Sequence, residues 1–194
     1  MVERYYRRTL PHTGPNPFRC EGFVHNGTIQ SDTGEPVAIA SLPPFLRALL
    51  VTDGTVTKII EAYFWEPVVV DTLRQEFVEA ADDIPWVHIE RGERIMVRRA
   101  RLRGAHSGKA FANAFSVIRT GLIPAQFRRR LIDREIGIGA LIRDSGLESY
   151  REVLEVGIEP DSDADKAVFR TYRIIIAGEP VILITETFPL PLYR

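Results

Sequence analysis

Two pairs of β-type segments, each joined by a short turn, constrain this chain most. Arg94–Arg103 and Lys109–Ile118 flank Gly104-Ala-His-Ser-Gly108; Ala167–Ala177 and Val181–Phe188 flank Gly178-Glu-Pro180. Connections this short cannot return a strand to lie parallel, so both pairs are predicted to be antiparallel hairpins. Val68–Val78, bounded by Pro67 and the acidic loop Glu79–Asp83, and Tyr150–Glu155 read as further strands. The helical signals come between and before them. Ser41 is placed to cap a helix with Pro43 and Pro44 in its first turn and Phe45, Leu46, Leu49 and Leu50 on its buried stripe. Thr55 is placed to cap Val56–Tyr63, a segment whose β-branched residues fit a strand as well. Pro124–Asp133 has helical spacing, with Phe127, Leu131 and Ile132 on its apolar side, and Gly137-Ile-Gly139 is a loop turning into another helix. The expected fold class is therefore α+β: one domain, a mostly antiparallel sheet with short helices packed against it. Residues 1–40, rich in Pro, Gly, Asn and Thr, read as an irregular extension with a short strand pair around Phe18–Val24 and Thr28–Ile39; residues 41–194 form the domain.

The hairpins make parity informative, because successive side chains of a strand point to opposite faces. In the last strand Ile182, Ile184, Glu186 and Phe188 share a face, and Val181, Leu183, Thr185 and Thr187 share the other. Glu186 thus stands among large apolar residues, where a carboxylate must find partners or hold its proton well above the usual value of about 4.3. A structural ion pair is the commoner fate of such a residue. In Arg94–Arg103, three arginines (Arg99, Arg101, Arg103) lie on one parity and read as a solvated stripe. Arg98 lies on the other, with Met96, Ala100 and Leu102. An inward guanidinium calls for an anion, and its fork of donors suits a planar carboxylate. That anion is either Glu186 itself, as a structural pair, or a ligand. Gly137-Ile138-Gly139 could offer backbone N–H groups to an anion at a helix start, although a tight loop explains a Gly-x-Gly more often.

Other chemistries find little support. The net charge of −1 gives no global attraction to nucleic acid or an anionic membrane, and Arg128-Arg-Arg130 reads as a solvated helix face. His12, His25, His88 and His106 are scattered without metal-ligand spacing, and the single cysteine, Cys20, excludes an intrachain disulfide and a cysteine-based zinc site. Asp161-Ser-Asp-Ala-Asp165 opens like a calcium loop, but Lys166 stands where the glycine should be and Tyr172 where the closing glutamate should be. No metal and no cofactor is expected. With no signal-peptide core or membrane-length apolar run, the expectation is a cytoplasmic protein; nothing in the sequence fixes an oligomeric state.

Leu49-Leu-Val-Thr-Asp-Gly-Thr-Val-Thr-Lys58, Arg98 on its strand, and the closing hairpin Arg173-Ile-Ile-Ile-Ala-Gly-Glu-Pro-Val-Ile-Leu-Ile-Thr-Glu-Thr-Phe188 with Pro191-Leu-Tyr193 resemble the chorismate pyruvate-lyase (4-hydroxybenzoate synthase) family over Leu42–Tyr193. The resemblance implies a compact antiparallel sheet with a buried, cofactor-free site that eliminates pyruvate from chorismate and leaves 4-hydroxybenzoate. It also implies roles. Arg98 would hold the ring carboxylate, with backbone donors at Ile138 and Gly139. Glu186 would be the catalytic residue, near the ring hydroxyl, and Val56 would place its backbone near that hydroxyl. Lys58 and Arg134 are candidates for the second carboxylate. In place of the family's Pro-Leu-Gly this chain has Gly137-Ile-Gly139. The same resemblance extends to effector-sensing domains that bind small aromatic acids without chemistry, and to lyases acting on a modified chorismate.

Overall fold

The computed structural model describes residues 2–8, 18, 27–31, 34–133, 137–161 and 166–193. In chain order these form β1 (Thr28–Gln30), β2 (Pro36–Ala38), α1 (Pro44–Val51), α2 (Val56–Phe64), β3 (Val68–Glu79), β4 (Arg94–Gly104), β5 (Ala110–Ile118), α3 (Ala125–Ile132), α4 (Ile138–Ser145), β6 (Ser149–Pro160), β7 (Lys166–Ile176) and β8 (Glu179–Pro189). The eight strands make one sheet in the order β2-β1-β6-β7-β8-β5-β4-β3. Every pairing is antiparallel except the short contact of β1 with β6. The α+β architecture expected from the hairpins is the one observed.

Several local expectations change. Ser41 does not cap α1; its hydroxyl donates to the Ala38 carbonyl and closes a separate 3-10 turn. A cap accepts from N–H groups two or three positions on, and those positions hold Pro43 and Pro44, which have none. The helix starts at Pro44 instead, and Leu46, Leu49 and Leu50 form its buried stripe, with Phe45 only half-buried. Val56–Phe64 is a helix, as its apolar spacing, with Val56 and Ile60 buried, requires. Ile132 is exposed at the end of α3, where only Phe127 and Leu131 reach the core. The β7–β8 turn is Ala177-Gly178, one step earlier than expected. Both residues have positive φ (51° and 83°), the left-handed geometry of a tight two-residue hairpin. The strand expected at Tyr150–Glu155 runs on to Pro160. At the N-terminus Val2–Tyr5 forms a 3-10 turn that seats Tyr5 fully inside, and Thr28–Ile39, expected as one member of a strand pair, holds both β1 and β2, which pair with each other. Of Phe18–Val24, all but Phe18 lies outside the described residues.

The sheet is covered on both faces. On the back, Tyr5, Trp86, Ile95, Val97, Val117 and Leu183 pack together. On the front the apolar core is split in two. One part joins α1 and α2 to Leu102, Phe111, Phe188 and Tyr193. The other joins α3 and α4 to Met96, Ile118, Ile174 and Ile182. At tens of cal/mol per Å² of apolar surface, each part fastens its pair of helices to the sheet. The strip of sheet between them carries the polar residues.

Candidate active site

That strip consists of two rows of cross-strand neighbours. In one row Arg170, Glu186, Ala114, Ala100 and Thr72 stand on β7, β8, β5, β4 and β3. In the next, Tyr172, Ile184, Ser116 and Arg98 stand on β7, β8, β5 and β4. The middle of both rows is small: Ala100, Ala114 and Ser116 leave space where larger side chains would fill it. The result is a cavity of about 460 Å³. Val56, Lys58, Arg98, Ile138, Gly139 and Glu186, the residues singled out from the sequence, all line it.

Glu186 is buried, and each of its carboxylate oxygens accepts one hydrogen bond. Arg170 Nε donates to Oε2 (2.9 Å) and the Tyr172 hydroxyl donates to Oε1 (3.1 Å). Arg170 is 1% exposed and has further work: its Nη1 donates to the carbonyls of Leu49 (2.6 Å) and Thr52 (2.8 Å) at the end of α1. Those carbonyls have no partner inside the helix, and the negative end of the helix dipole favours a cation there. One guanidinium thus ties the catalytic candidate to α1 and to the segment after it, where Gly54, Thr55 and Val56 form a cavity wall. It also lies over the Tyr172 ring, 4.8 Å from its centre. Burial, and then the Glu186 carboxylate, push the Tyr172 hydroxyl far above its ordinary pKa, so it stays protonated and acts as a donor.

Arg98 is 2% exposed and faces inward, as parity indicated, whereas Arg99 is exposed and Arg103 pairs with Asp71 (2.8 Å). Arg98 donates to Thr72 Oγ1 (2.7 Å) on β3. The alternative of an Arg98–Glu186 pair is corrected: β5 stands between their strands, setting the backbones roughly 10 Å apart. Arg170, directly opposite Glu186 on the adjoining strand, takes that place. Sequence reading missed Arg170 and Tyr172, yet β7 carries the signal that flagged Arg98. Val168, Arg170, Tyr172, Ile174 and Ile176 share one parity, a lone cation among apolar residues.

Two helices begin at the cavity. Ile138 and Gly139 open α4, and Val56 and Lys58 stand in the first turn of α2. The first N–H groups of each helix have no intrahelical acceptor and lie at the positive end of the dipole. A Cβ at Gly139 would meet Thr55 Cγ2 at 3.4 Å, an ordinary van der Waals contact. Lys58 is exposed at the rim, and Arg134 lies outside the described residues. Arg143 and Arg151, not singled out from the sequence, also line the cavity. Among the described residues no three His, Cys, Asp or Glu side chains are grouped to hold a metal ion, and no helix is long and apolar enough to cross a membrane.

A family profile described as chorismate pyruvate-lyase, Rv2949c-like, matches residues 50–194. A protein of Mycobacterium leprae named chorismate pyruvate-lyase is 35% identical over 160 residues, covering 77% of this chain and 76% of its own. The chain belongs to this family. A second member, the chorismate pyruvate-lyase of Mycobacterium tuberculosis strain H37Rv, is 24% identical over 163 residues, covering 77% of this chain and 81% of its own. Among solved structures, a GntR-family transcriptional regulator from Bacillus cereus shares the fold. Its TM-score is 0.52 at 13% identity, over 66% of this chain and 94% of the regulator. The family match includes α2, β4, α4 and β8, the elements that carry all six lining residues named above.

Proposed function

We propose that the protein is a carbon–oxygen lyase that converts chorismate to 4-hydroxybenzoate and pyruvate in this cavity, without a cofactor. One observation carries the reading. Arg98 and Glu186 face the same cavity from strands two apart, separated by Ala100, Ala114 and Ser116. That is the arrangement needed to hold a flat ring acid by a carboxylate at one end and a hydroxyl at the other. Arg98 grips the ring carboxylate, with the Ile138 and Gly139 amides as further donors. Glu186 contacts the C4 hydroxyl, and the Val56 backbone lies near it.

In the reaction the C4–H bond and the C3–O bond break. The C4–H electron pair becomes the new ring double bond, the C3–O pair leaves on the enolpyruvate oxygen, and the C4 proton goes to the departing group, which becomes pyruvate. Aromatisation drives the step, so the protein's task is orientation in a site closed to water. Glu186 serves as the proton acceptor, or orients the C4 hydroxyl while the hydrogen passes directly to the enolpyruvyl methylene. Its bonds to Arg170 and Tyr172 fix the carboxylate in either route.

The test is purified protein with chorismate, following pyruvate and 4-hydroxybenzoate together. Equimolar formation of both supports the reading. Tight 4-hydroxybenzoate binding without turnover would replace it with a non-catalytic sensor of aromatic acids, and turnover of a modified chorismate alone would change the substrate.

A further inference from the structure

Among the described residues, four cationic side chains line the cavity: Lys58, Arg98, Arg143 and Arg151. Two acidic side chains, Glu61 and Glu186, line it as well. Glu61 accepts the Val68 N–H, and Glu186 is held by Arg170 and Tyr172. Of the cations besides Arg98, Lys58 and Arg143 are exposed, and Arg143 pairs with Asp144 (3.1 Å). Arg151 is different. It is half-buried on β6, directly opposite Ile174 of β7, which is opposite Ile182 of β8, so it points to the helix-covered face. Its Nη1 donates to the Asp53 carbonyl, which fixes it against the cavity wall. Its Nη2 would lie 4.0 Å from a Cβ on Gly139, so the guanidinium sits against the first turn of α4. A guanidinium has more donors than that one bond uses.

The sheet order gives this placement its meaning. β4, with Arg98, lies two strands to one side of β8; β6, with Arg151, lies two strands to the other. Glu186 is carried between them. We propose that Arg151 forms a second anion subsite, so that the cavity selects a dicarboxylate: one carboxylate on Arg98, the other on Arg151, and a hydroxyl near Glu186. Under the lyase reading, on which this rests, Arg151 receives the carboxylate of the enolpyruvyl arm and is a specificity-determining residue. The product keeps only the ring carboxylate, so pyruvate's departure removes the ligand from Arg151 and leaves 4-hydroxybenzoate held at one end.

The experiment compares a dianion with a monoanion. For wild type, Arg151→Gln and Arg151→Lys, chorismate KM and kcat are measured together with the Kd of 4-hydroxybenzoate; Gln keeps an N–H donor for Asp53. Arg151→Gln is expected to raise chorismate KM about tenfold or more while 4-hydroxybenzoate Kd stays within about twofold, with Arg151→Lys in between. An unchanged KM would overturn the subsite. So would parallel weakening of both ligands, which would mark Arg151 as a support of the wall alone. If wild type does not turn chorismate over, the lyase reading falls and chorismate affinity by calorimetry replaces KM. Selective loss of that affinity in Arg151→Gln still supports the subsite, and no chorismate binding by wild type overturns it.

Discussion

Adjacent residues of β8 anchor two buried polar clusters on opposite faces of the sheet. On the back, Thr185 Oγ1 meets Thr171 Oγ1 (2.8 Å) and the hydroxyl of Tyr5 (2.5 Å). All three are neutral, and the apolar back core with the N-terminal turn covers them. On the front, Glu186 meets Arg170 and Tyr172, a charged set beside a cavity of about 460 Å³. The two clusters use the same strands, one residue out of phase. The three hydroxyls of the back satisfy one another, whereas on the front Arg170 Nη2 is buried without a hydrogen-bond partner among the described residues. They differ in what borders them: Thr185 touches a small cavity of about 170 Å³, while the Glu186 carboxylate is pinned at the edge of the larger one of about 460 Å³. Burial of a polar group thus says little about function until its neighbours' size is known, and here Ala100, Ala114 and Ser116 make the difference.

The sharpest way to break this contrast is Glu186→Gln. Pyruvate release is expected to fall on the order of a hundredfold or more if Glu186 handles the proton. Retention of wild-type kcat would leave Glu186 an orienting or structural group. Next is Arg170→Met, which leaves the carboxylate buried without its counter-charge. Breaking a buried pair costs about 3–5 kcal/mol, read as a lower denaturation midpoint. Turnover should fall as well, because the carboxylate loses the donor that holds its Oε2 in place. A destabilised variant with wild-type kcat would confine Arg170 to architecture.

Arg98→Gln removes a charge-assisted contact worth about 1.5–3 kcal/mol. It should therefore weaken both chorismate and 4-hydroxybenzoate, whereas Arg151→Gln weakens chorismate alone. Thr185→Val is the control on the back face. Unpairing its two hydroxyl partners should cost about 1–3 kcal/mol in denaturant unfolding and leave kcat near wild type. A large loss of turnover there would erase the distinction between the faces.

The smallest expected effect is on alkaline stability and touches both faces. Burial raises the hydroxyls of Tyr5 and Tyr172 well above the ordinary tyrosine value. With folded values above the unfolded value of about 10, their contribution is whole below pH 10 and declines as pH rises past it, when only the unfolded chain ionises. Tyr5→Phe and Tyr172→Phe should each flatten part of that decline in thermal melts between pH 9 and about 11. Equal slopes in all three proteins would rule the tyrosines out as its source.

Much of this was legible in residue order. Side-chain alternation is local, so Arg98 and Glu186 could be assigned to buried faces from their own strands. Applied to β7, the same reasoning yields Arg170 and Tyr172. Helix signals were legible in position but less so in detail. Ser41 resembles a cap until the two following prolines are seen to remove the groups it would cap. Ile132 fits an apolar stripe until the end of α3 leaves the core. The structural ion pair expected as the commoner fate of Glu186 is present, with Arg170 directly opposite it as the partner instead of Arg98.

The chain alone thus determined the antiparallel hairpins, the inward direction of Arg98 and Glu186, and, through its motifs, the family. Those features depend on the two-residue period of a strand and on short connections, both readable within a few residues. Only the tertiary structure decided which strands are neighbours. Placing β5 between β4 and β8 separates Arg98 from Glu186, while β7 brings Arg170 onto it. Strand order comes from packing distant segments around a shared core, and no local pattern encodes it. The same long-range assembly set small residues between the two ends and Arg151 on the far flank, so it also decided where the cavity lies.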